Sequence, residues 1–205
     1  VLMILMFVAS LAAGMIWGII PAIFKAYFNT NETLFTLMLN YVAMQIVTFC
    51  IVYWENPAGS NTVGIINSAT RAGWLPALGG LTYGWNVLIV LAFTFGMYIY
   101  MKYSKQGYEV AVVGESQDTA RYARINVKRT IIRTMGISGG ICGIAGFLLV
   151  SGASHTISTS TAGGRGFTAI IVAWLSKFNA FVMILVSFFL VFMEKGAIQI
   201  ASQFN

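Results

Sequence analysis

The chain has 205 residues, of which 58% are hydrophobic and 9% are charged. An average soluble domain is about 45–50% apolar and about 25% charged, so the composition excludes a soluble globular domain. It excludes intrinsic disorder as well, because disorder requires low hydrophobicity and high charge. The 14% of aromatic residues and the 21 glycines are typical of a helical membrane protein. We therefore expect an all-α fold, a polytopic transmembrane helical bundle of about five spans or part-spans.

Five apolar segments are long enough to cross a bilayer, which takes about 20 helical residues. The predicted spans cover residues 1–24, 33–54, 81–101, 131–151 and 167–193. The chain is apolar from its first residue and has no starting Met or basic leader, so we expect one transmembrane domain over 1–205 that is a piece of a longer protein.

The last apolar segment is interrupted by Ser176, Lys177 and Asn179. The part before the interruption, about ten residues, is too short to cross a bilayer as a helix. Two interpretations stay open. The segment is one tilted span with Lys177 reaching the interface, or it contains a broken or re-entrant helix near 167–176, surrounded by protein or a water-filled cavity.

The net charge of +6 is concentrated in one connection. Seven of the 12 basic residues fall there: Lys102, Lys105, Arg121, Arg124, Lys128, Arg129 and Arg133. Loops of this kind lie on the cytoplasmic side, so we predict a cytoplasmic loop at 102–130 and an external loop at 55–80. No aromatic or glycine-rich recognition motif accompanies the charge, so we expect no nucleic-acid partner.

Within the basic loop, Ser116 is a good helix N-cap and Asp118 falls in the first turn, where the helix dipole favours an anion. The predicted helix has an apolar face of Ala120, Ala123, Val127 and Ile131 and a basic face of Arg121, Arg124 and Lys128. Two roles stay open for it: a helix lying on anionic lipid, or a docking element for a cytoplasmic protein.

Groups that could carry chemistry are few. The single histidine, His155, lies in a Ser/Thr/Gly-rich segment, and an intramembrane enzyme would need it as a base beside Ser154 or Ser158. No phosphate-binding Gly-rich loop ends in Gly-Lys-Ser/Thr, and Cys50 and Cys142 lack a partner at metal-ligand spacing, so we expect neither catalytic residues nor a metal site. No span has an ionisable residue at its centre, which favours a transport path whose energy is supplied from elsewhere.

Small and polar residues repeat at helical spacing in two spans. Thr33, Thr36 and Asn40 form one stripe of the second span, which serves interhelical hydrogen bonding or lines a cavity. Gly136/Gly140 and Gly139/Gly143 are overlapping small-xxx-small pairs, which let a neighbouring backbone approach closely.

Residues 114–125, GESQDTARYARI, resemble a cytoplasmic motif of the permease subunits of ATP-binding cassette importers for branched-chain amino acids, simple sugars and nucleosides. That motif reads roughly G-x-N-x-x-A-A-x-Y-A-G-I. Residues 139–146 and 164–175 resemble two further segments of the family, and residues 14–21 and 31–41 are similar to its nucleoside (basic membrane protein) branch. Four positions depart from the pattern: Ser116 stands for Asn, Thr119 for Ala, Arg124 for Gly, and Ala180 for Pro.

The resemblance implies a permease of about ten spans in the bacterial cell membrane, which moves a nucleoside or simple sugar by alternating access. It implies three partners: a cytoplasmic ATPase that binds the ATP, a second permease subunit, and an external solute-binding (lipo)protein. The permease then needs no cofactor of its own and is not an enzyme. The alternatives are import of branched-chain amino acids and, less favoured, an intramembrane enzyme using His155.

By the same resemblance, the ATPase contact is expected at Gly114, Ser116, Ala120, Arg121, Tyr122, Ala123 and Arg124. The solute path is expected at Thr36, Asn40, Asn86, His155, Thr156 and Arg165. Polar, uncharged linings suit a neutral, hydroxyl-rich solute, because each unmatched hydroxyl leaves a buried partner unpaired.

Overall fold

A computed structural model of the chain describes residues 2–55, 59–60, 62–67, 73–76, 83–159, 161 and 163–203. The helices are α1 (Leu2–Phe28), α2 (Glu32–Trp54), α3 (Gly84–Tyr103), α4 (Lys105–Glu115), α5 (Gln117–Tyr122), α6 (Val127–Leu149), α7 (Arg165–Leu175) and α8 (Ala180–Gln203). A π-helical turn (Val150–Ser154) extends α6, and the strands are β1 (Thr62–Ile65) and β2 (Thr156–Ser158). Five helices are long and apolar enough to cross a membrane: α1, α2, α3, α6 with its extension, and α8. The predicted all-α polytopic bundle is confirmed.

The predicted external loop 55–80 is described only at residues 55, 59–60, 62–67 and 73–76. Its remaining residues, and the first two of the predicted third span, lie outside the described residues. By its internal contacts the chain divides into two compact units, Val1–Thr161 and Ala162–Asn205, and the single transmembrane domain over 1–205 stays a prediction.

In the first unit, α1 and α6 pack with their backbones in contact. A Cβ on Gly14 would lie 2.9 Å from the Cα of Gly143, and a Cβ on Gly18 would lie 3.0 Å from the Cα of Gly139. Non-bonded carbons ordinarily lie about 3.5–4.0 Å apart, so only glycine permits this approach. The predicted role of the Gly139/Gly143 pair is therefore confirmed, and the partner helix carries the same four-residue spacing of glycines.

The unit's small buried cluster lies at the end of α6. It consists of Ile144, Phe147 and Leu148, with five residues packed against it: Met6, Phe7, Leu11, Leu75 and Ile89. The rings of Phe7 and Phe147 meet edge to face with centroids 5.8 Å apart, a favoured geometry for aromatic pairs. Since the cluster takes residues from α1, α3 and the segment at 73–76, it holds these elements at one end of α6.

The contact of α3 with the α1–α6 pair is looser. No residue of α3 is buried, and a cavity of about 540 Å³ lies between α1, α3 and α6. Its lining is apolar and includes Leu11, Met15, Phe93, Met97 and Ile141.

Within the predicted loop at 102–130, the segment from Ser116 to Ile131 differs from the single helix that we predicted to start at Ser116. Ser116 caps α5 as expected, its side chain accepting the Thr119 N–H at 3.3 Å, but α5 ends at Tyr122. Asn126 then caps α6, accepting the Arg129 N–H at 3.2 Å. The predicted apolar face is therefore wrong, because Ala120 lies in α5, Ala123 in the turn that follows it, and Val127 and Ile131 in α6.

The second unit contains α7 and α8 with a break between them. Lys177 and Phe178 both have positive φ, 49° and 60°, and the side chain of Asn179 accepts the Phe181 N–H at 3.1 Å. Of the two interpretations left open by the sequence, the structure has the broken helix. With 11 residues, α7 is about 16 Å long, about half the thickness of a bilayer core.

Candidate functional site

Two groups of the predicted site residues lie at opposite ends of α6 in the first unit. One is the α5 turn, residues 116–125, which precedes the start of α6. The other, here called the polar cluster, lies at the far end and consists of the predicted residues Asn86, His155 and Thr156 together with Ser151, which was not predicted. The 23 residues of α6 separate these two groups by about 35 Å, somewhat more than the thickness of a bilayer core.

The α5 turn closes with a pattern of hydrogen bonds that usually requires glycine. The Arg124 N–H donates to the Arg121 carbonyl at 3.0 Å, and the Ile125 N–H donates to the Ala120 carbonyl at 2.9 Å. These two bonds define a Schellman motif, whose C′ residue is left-handed and is usually glycine. Arg124 occupies that position with φ 58°. The turn thus gives a physical reason for the glycine that the related motif carries here.

The α5 turn presents some of the predicted coupling residues to the surface and hides one of them. Tyr122 is 91% exposed, while Ala120 is completely buried. Arg121, Ala123 and Arg124 are also exposed. Gly114 is exposed with open space around its Cα, and the hydroxyl of Ser116 serves as the helix cap. A partner protein can therefore contact Arg121, Tyr122, Ala123 and Arg124, whereas Ala120 holds the turn in place.

Charged and aromatic contacts fix the surroundings of the α5 turn. Glu109 on α4 and Arg133 on α6 form an ion pair at 3.0 Å, with both side chains about three-quarters buried. The ammonium of Lys128 lies 4.6 Å from the centre of the Tyr27 ring, within the range of a cation–π interaction. These contacts join α4, α1 and the start of α6.

At the polar cluster, three residues hold one another in a closed arrangement. The His155 ring stacks on Trp74 with centroids 3.9 Å apart and planes inclined by 10°. The Trp74 indole N–H donates to the Ile66 carbonyl at 2.8 Å, and the Ile66 N–H donates to the His155 carbonyl at 2.9 Å. The next residue, Leu75, donates its N–H to the Ser151 carbonyl at 3.1 Å. The segment at 73–76 is therefore tied onto the π-helical turn.

Every member of the polar cluster has a buried polar atom without a hydrogen-bond partner in the described part of the chain. These atoms are Asn86 Oδ1, Ser151 Oγ, His155 Nδ1 and Thr156 Oγ1. The amide of Asn86 packs directly on Gly152, where a Cβ would overlap it. Sequence reasoning found three of the four residues but missed Ser151 and the stacked Trp74. The Ser/Thr/Gly-rich composition after α6 was a signal for Ser151, and none pointed to Trp74.

The other predicted path residues lie elsewhere. Thr36 and Asn40 are exposed in the first half of α2, and the Thr36 hydroxyl donates to the Glu32 carbonyl at 2.8 Å. The Asn40 amide contacts Met44 Sδ at 4.0 Å. Arg165 is the first residue of α7 and belongs to the second unit. Within the first unit, the structure brings Asn86, His155 and Thr156 together and places Thr36 and Asn40 apart from them.

The hydroxyls considered as nucleophiles have other partners. Ser154 Oγ donates to the Leu149 carbonyl at 3.0 Å, and the Ser158 and Thr161 hydroxyls pair at 3.0 Å. The arrangement therefore does not favour a nucleophile–base pair with His155. Across the described ranges, no three His, Cys, Asp or Glu side chains gather as a metal site would require.

The apolar helices, with surface charge at one end of α6 and polar groups at the other, define a multi-pass membrane protein. The family described as the branched-chain amino acid transport system / permease component matches residues 1–205. The chain belongs to this family, which confirms the resemblance noted in the sequence.

Three curated relatives illustrate the similarity. The guanosine ABC transporter permease protein NupP of Bacillus subtilis is 29% identical over 194 residues, covering 93% of this chain and 56% of the relative. The glucose ABC transporter permease protein TsgB13 of Haloferax volcanii is 27% identical, covering 96% and 55%. The nucleoside ABC transporter permease protein NupB of Lactococcus lactis is 28% identical, covering 83% and 50%. The chain thus spans about half the length of these relatives. No solved structure matches it significantly.

Proposed function

We propose that this chain is part of the permease subunit of an ATP-driven importer in the cell membrane, which moves a small neutral polar solute by alternating access. A nucleoside or a simple sugar is the proposed solute class, in line with the guanosine, nucleoside and glucose named for the relatives. Import of a branched-chain amino acid, after the description of the family, is the alternative. The permease itself makes and breaks no covalent bond.

The observation that carries the proposal is the exposed α5 turn. A tyrosine that is 91% exposed has a large apolar ring in water, and such aromatic residues, together with Arg, are enriched where proteins bind one another. Arg121 and Arg124 flank Tyr122 in the sequence. This combination supports docking of a cytoplasmic ATPase subunit, which would bind the ATP, so that the permease needs no cofactor.

The distribution of positive charge supports a cytoplasmic location for the α5 turn. In the described part of the chain, the basic side chains of the 102–133 region lie on α3, α4, α5, the turn after α5 (Arg124) and the first turns of α6. Because basic loops stay on the cytoplasmic side, the polar cluster, at the other end of α6, then faces the exterior. An external solute-binding (lipo)protein would deliver solute there, and a second permease subunit would complete the path.

The test is uptake by the full-length protein, reconstituted in proteoliposomes with its ATPase and binding protein. We expect ATP-dependent uptake of labelled guanosine or glucose and none of leucine. Uptake of leucine alone would contradict the proposed solute class, and uptake without ATP would contradict the proposed energy source.

Coupling is tested separately with Tyr122→Ala. Removing an exposed anchor should lower ATP-driven uptake at least about tenfold, the range of an interface hot spot, without lowering thermal stability. Tyr108→Ala is the matched control, because Tyr108 is also an exposed tyrosine, 65% exposed on α4, but lies outside the 114–125 motif; this variant should transport normally. Normal transport by the Tyr122 variant would show that the tyrosine carries no contact needed for coupling.

A further inference from the structure

The polar cluster is energetically unusual for a closed structure. Ser151 is 3% exposed, and its hydroxyl, Asn86 Oδ1 and Thr156 Oγ1 are all buried without a partner among the described residues. Buried polar groups in proteins are nearly always paired, and each exception calls for an explanation. Three such oxygens at one end of α6 therefore point to something that pairs with them in another state of the protein.

The local backbone brings the residues that carry these oxygens to the same end of α6. A π-helical turn (Val150–Ser154) replaces the regular end of α6, and such turns are frequently found at functional sites. Gly152, within that turn, leaves room for the Asn86 amide, which a Cβ would displace. The close packing brings the start of α3 onto the end of α6, so the cluster spans two helices.

The segment at 73–76 also packs over the polar cluster. Trp74 stacks on His155, and Leu75 is hydrogen-bonded to the Ser151 carbonyl. The described residues thus form the closed state of a site, in which neither water nor a solute reaches the three oxygens.

We propose that Asn86, Ser151 and Thr156 form the outer solute-binding site of the permease and take a neutral solute through its hydroxyl groups. This inference rests on the proposed function. The Asn86 oxygen accepts a hydrogen bond, and the Ser151 and Thr156 hydroxyls donate or accept one, which matches the hydroxyls of a ribose or hexose. None of the three side chains is charged, so they offer no ionic partner to the carboxylate and ammonium of an amino acid.

Two shape-conserving variants test the site: Ser151→Ala and Thr156→Val, in the full-length protein reconstituted with its partners. Each removes a hydroxyl that has no partner among the described residues, so thermal stability should stay the same or rise. Labelled guanosine and glucose are the probes. For the transported probe, we expect KM to rise about three- to tenfold per variant, the effect of one neutral hydrogen bond, with kcat largely retained.

Thr94→Val is the matched control, because the Thr94 hydroxyl on α3 donates to the Val90 carbonyl at 2.9 Å and lies outside the cluster. It should leave KM unchanged. An unchanged KM in both cluster variants would overturn the assignment and indicate that the oxygens hold only ordered water. Wild-type protein that takes up neither probe would contradict the proposed function itself, and the assigned solute site with it.

Discussion

The close contact between α1 and α6 predicts that a side chain larger than glycine at position 139 weakens the packing of these two helices. In Gly139→Ala, the new Cβ would lie 3.0 Å from the Cα of Gly18 and still closer to the Gly14 carbonyl oxygen. To restore an ordinary separation of about 3.5–4.0 Å, the two backbones must move apart by about half an ångström or more. Atoms along the whole interface would then lose contact, since dispersion attraction falls steeply with distance.

The size of the effect follows from two opposing contributions. Overpacking of a close contact costs about 1–3 kcal/mol, while replacing glycine by alanine in a helix stabilises it by about 1 kcal/mol. Gly146→Ala on the same helix isolates the first contribution, because a Cβ there meets nothing within 4 Å. The difference in unfolding free energy between the two variants should therefore be about 1–3 kcal/mol, with Gly139→Ala the less stable.

The assay is reversible unfolding of the full-length protein in mixed micelles, with a denaturing detergent as the variable. A variant with Gly14→Ala as well as Gly139→Ala adds a second check. Once the methyl group of Gly139→Ala has separated the helices, Gly14→Ala should lower the unfolding free energy by less than it does alone. The effects of substitutions at residues in contact are generally not additive. Equal stability of Gly139→Ala and Gly146→Ala, within about 0.5 kcal/mol, would refute the reasoning.

Three further substitutions test the local geometry. Arg124→Gly should stabilise the protein by about 1 kcal/mol, because glycine adopts the left-handed conformation without a Cβ penalty; a loss of stability in thermal unfolding would contradict the assigned turn. Ala180→Pro should be tolerated and raise stability by about 0.4–1 kcal/mol, since proline suits the first position of a helix, here α8; a large loss of folded protein would show that the helix begins elsewhere. Glu109→Gln should cost about 1–3 kcal/mol by weakening a charged hydrogen bond to Arg133, and Glu109→Gln should cost almost nothing when Arg133 is replaced by Met.

Much of the fold could be predicted because lipid imposes it. Apolar segments of about 20 residues become spanning helices, and glycines four residues apart permit close helix contact whatever the partner. The interruption at Ser176 was visible because too few apolar residues precede it to span the membrane. In these cases the signal lies within a single stretch of sequence.

The end of α5 could not be predicted from the same kind of signal. Arg124 and Lys177 both take left-handed conformations after a helix, in positions where glycine is usual. Neither residue type signals a helix end, and basic residues near a helix C-terminus are common for another reason, the helix dipole. The helix that we predicted from Ser116 therefore extended past a turn, and it placed Ala120 on a face open to lipid or to a partner protein, although Ala120 is completely buried.

The stacking of Trp74 on His155 was beyond sequence reasoning for a different reason. The two residues are 81 positions apart in the chain, and the contact depends on the pairing of β1 with β2 at the far end of α6. No local periodicity encodes such a contact. Three polar residues of the cluster, Asn86, His155 and Thr156, were predicted as candidates from the sequence. The stacking of Trp74 on His155 depends on the folded chain.

The tight and loose contacts of the first unit bear on how a solute site could be coupled to the α5 turn. The α1–α6 contact allows little adjustment, since close-packed interfaces shift between discrete arrangements rather than deform. An apolar pocket of about 540 Å³ lies between α1, α3 and α6, so α3 packs less closely on α6 than α1 does. The proposed site lies across this looser contact, with Asn86 on α3 and Ser151 in the π-helical turn that extends α6.

At the opposite end of α6, the Glu109–Arg133 ion pair joins α4, which follows α3, to α6. Under the proposed function, we predict that a displacement delivered at the α5 turn changes the spacing of Asn86 and Ser151 by moving α3 relative to the α1–α6 pair, because alternating access requires contacts that differ between two states.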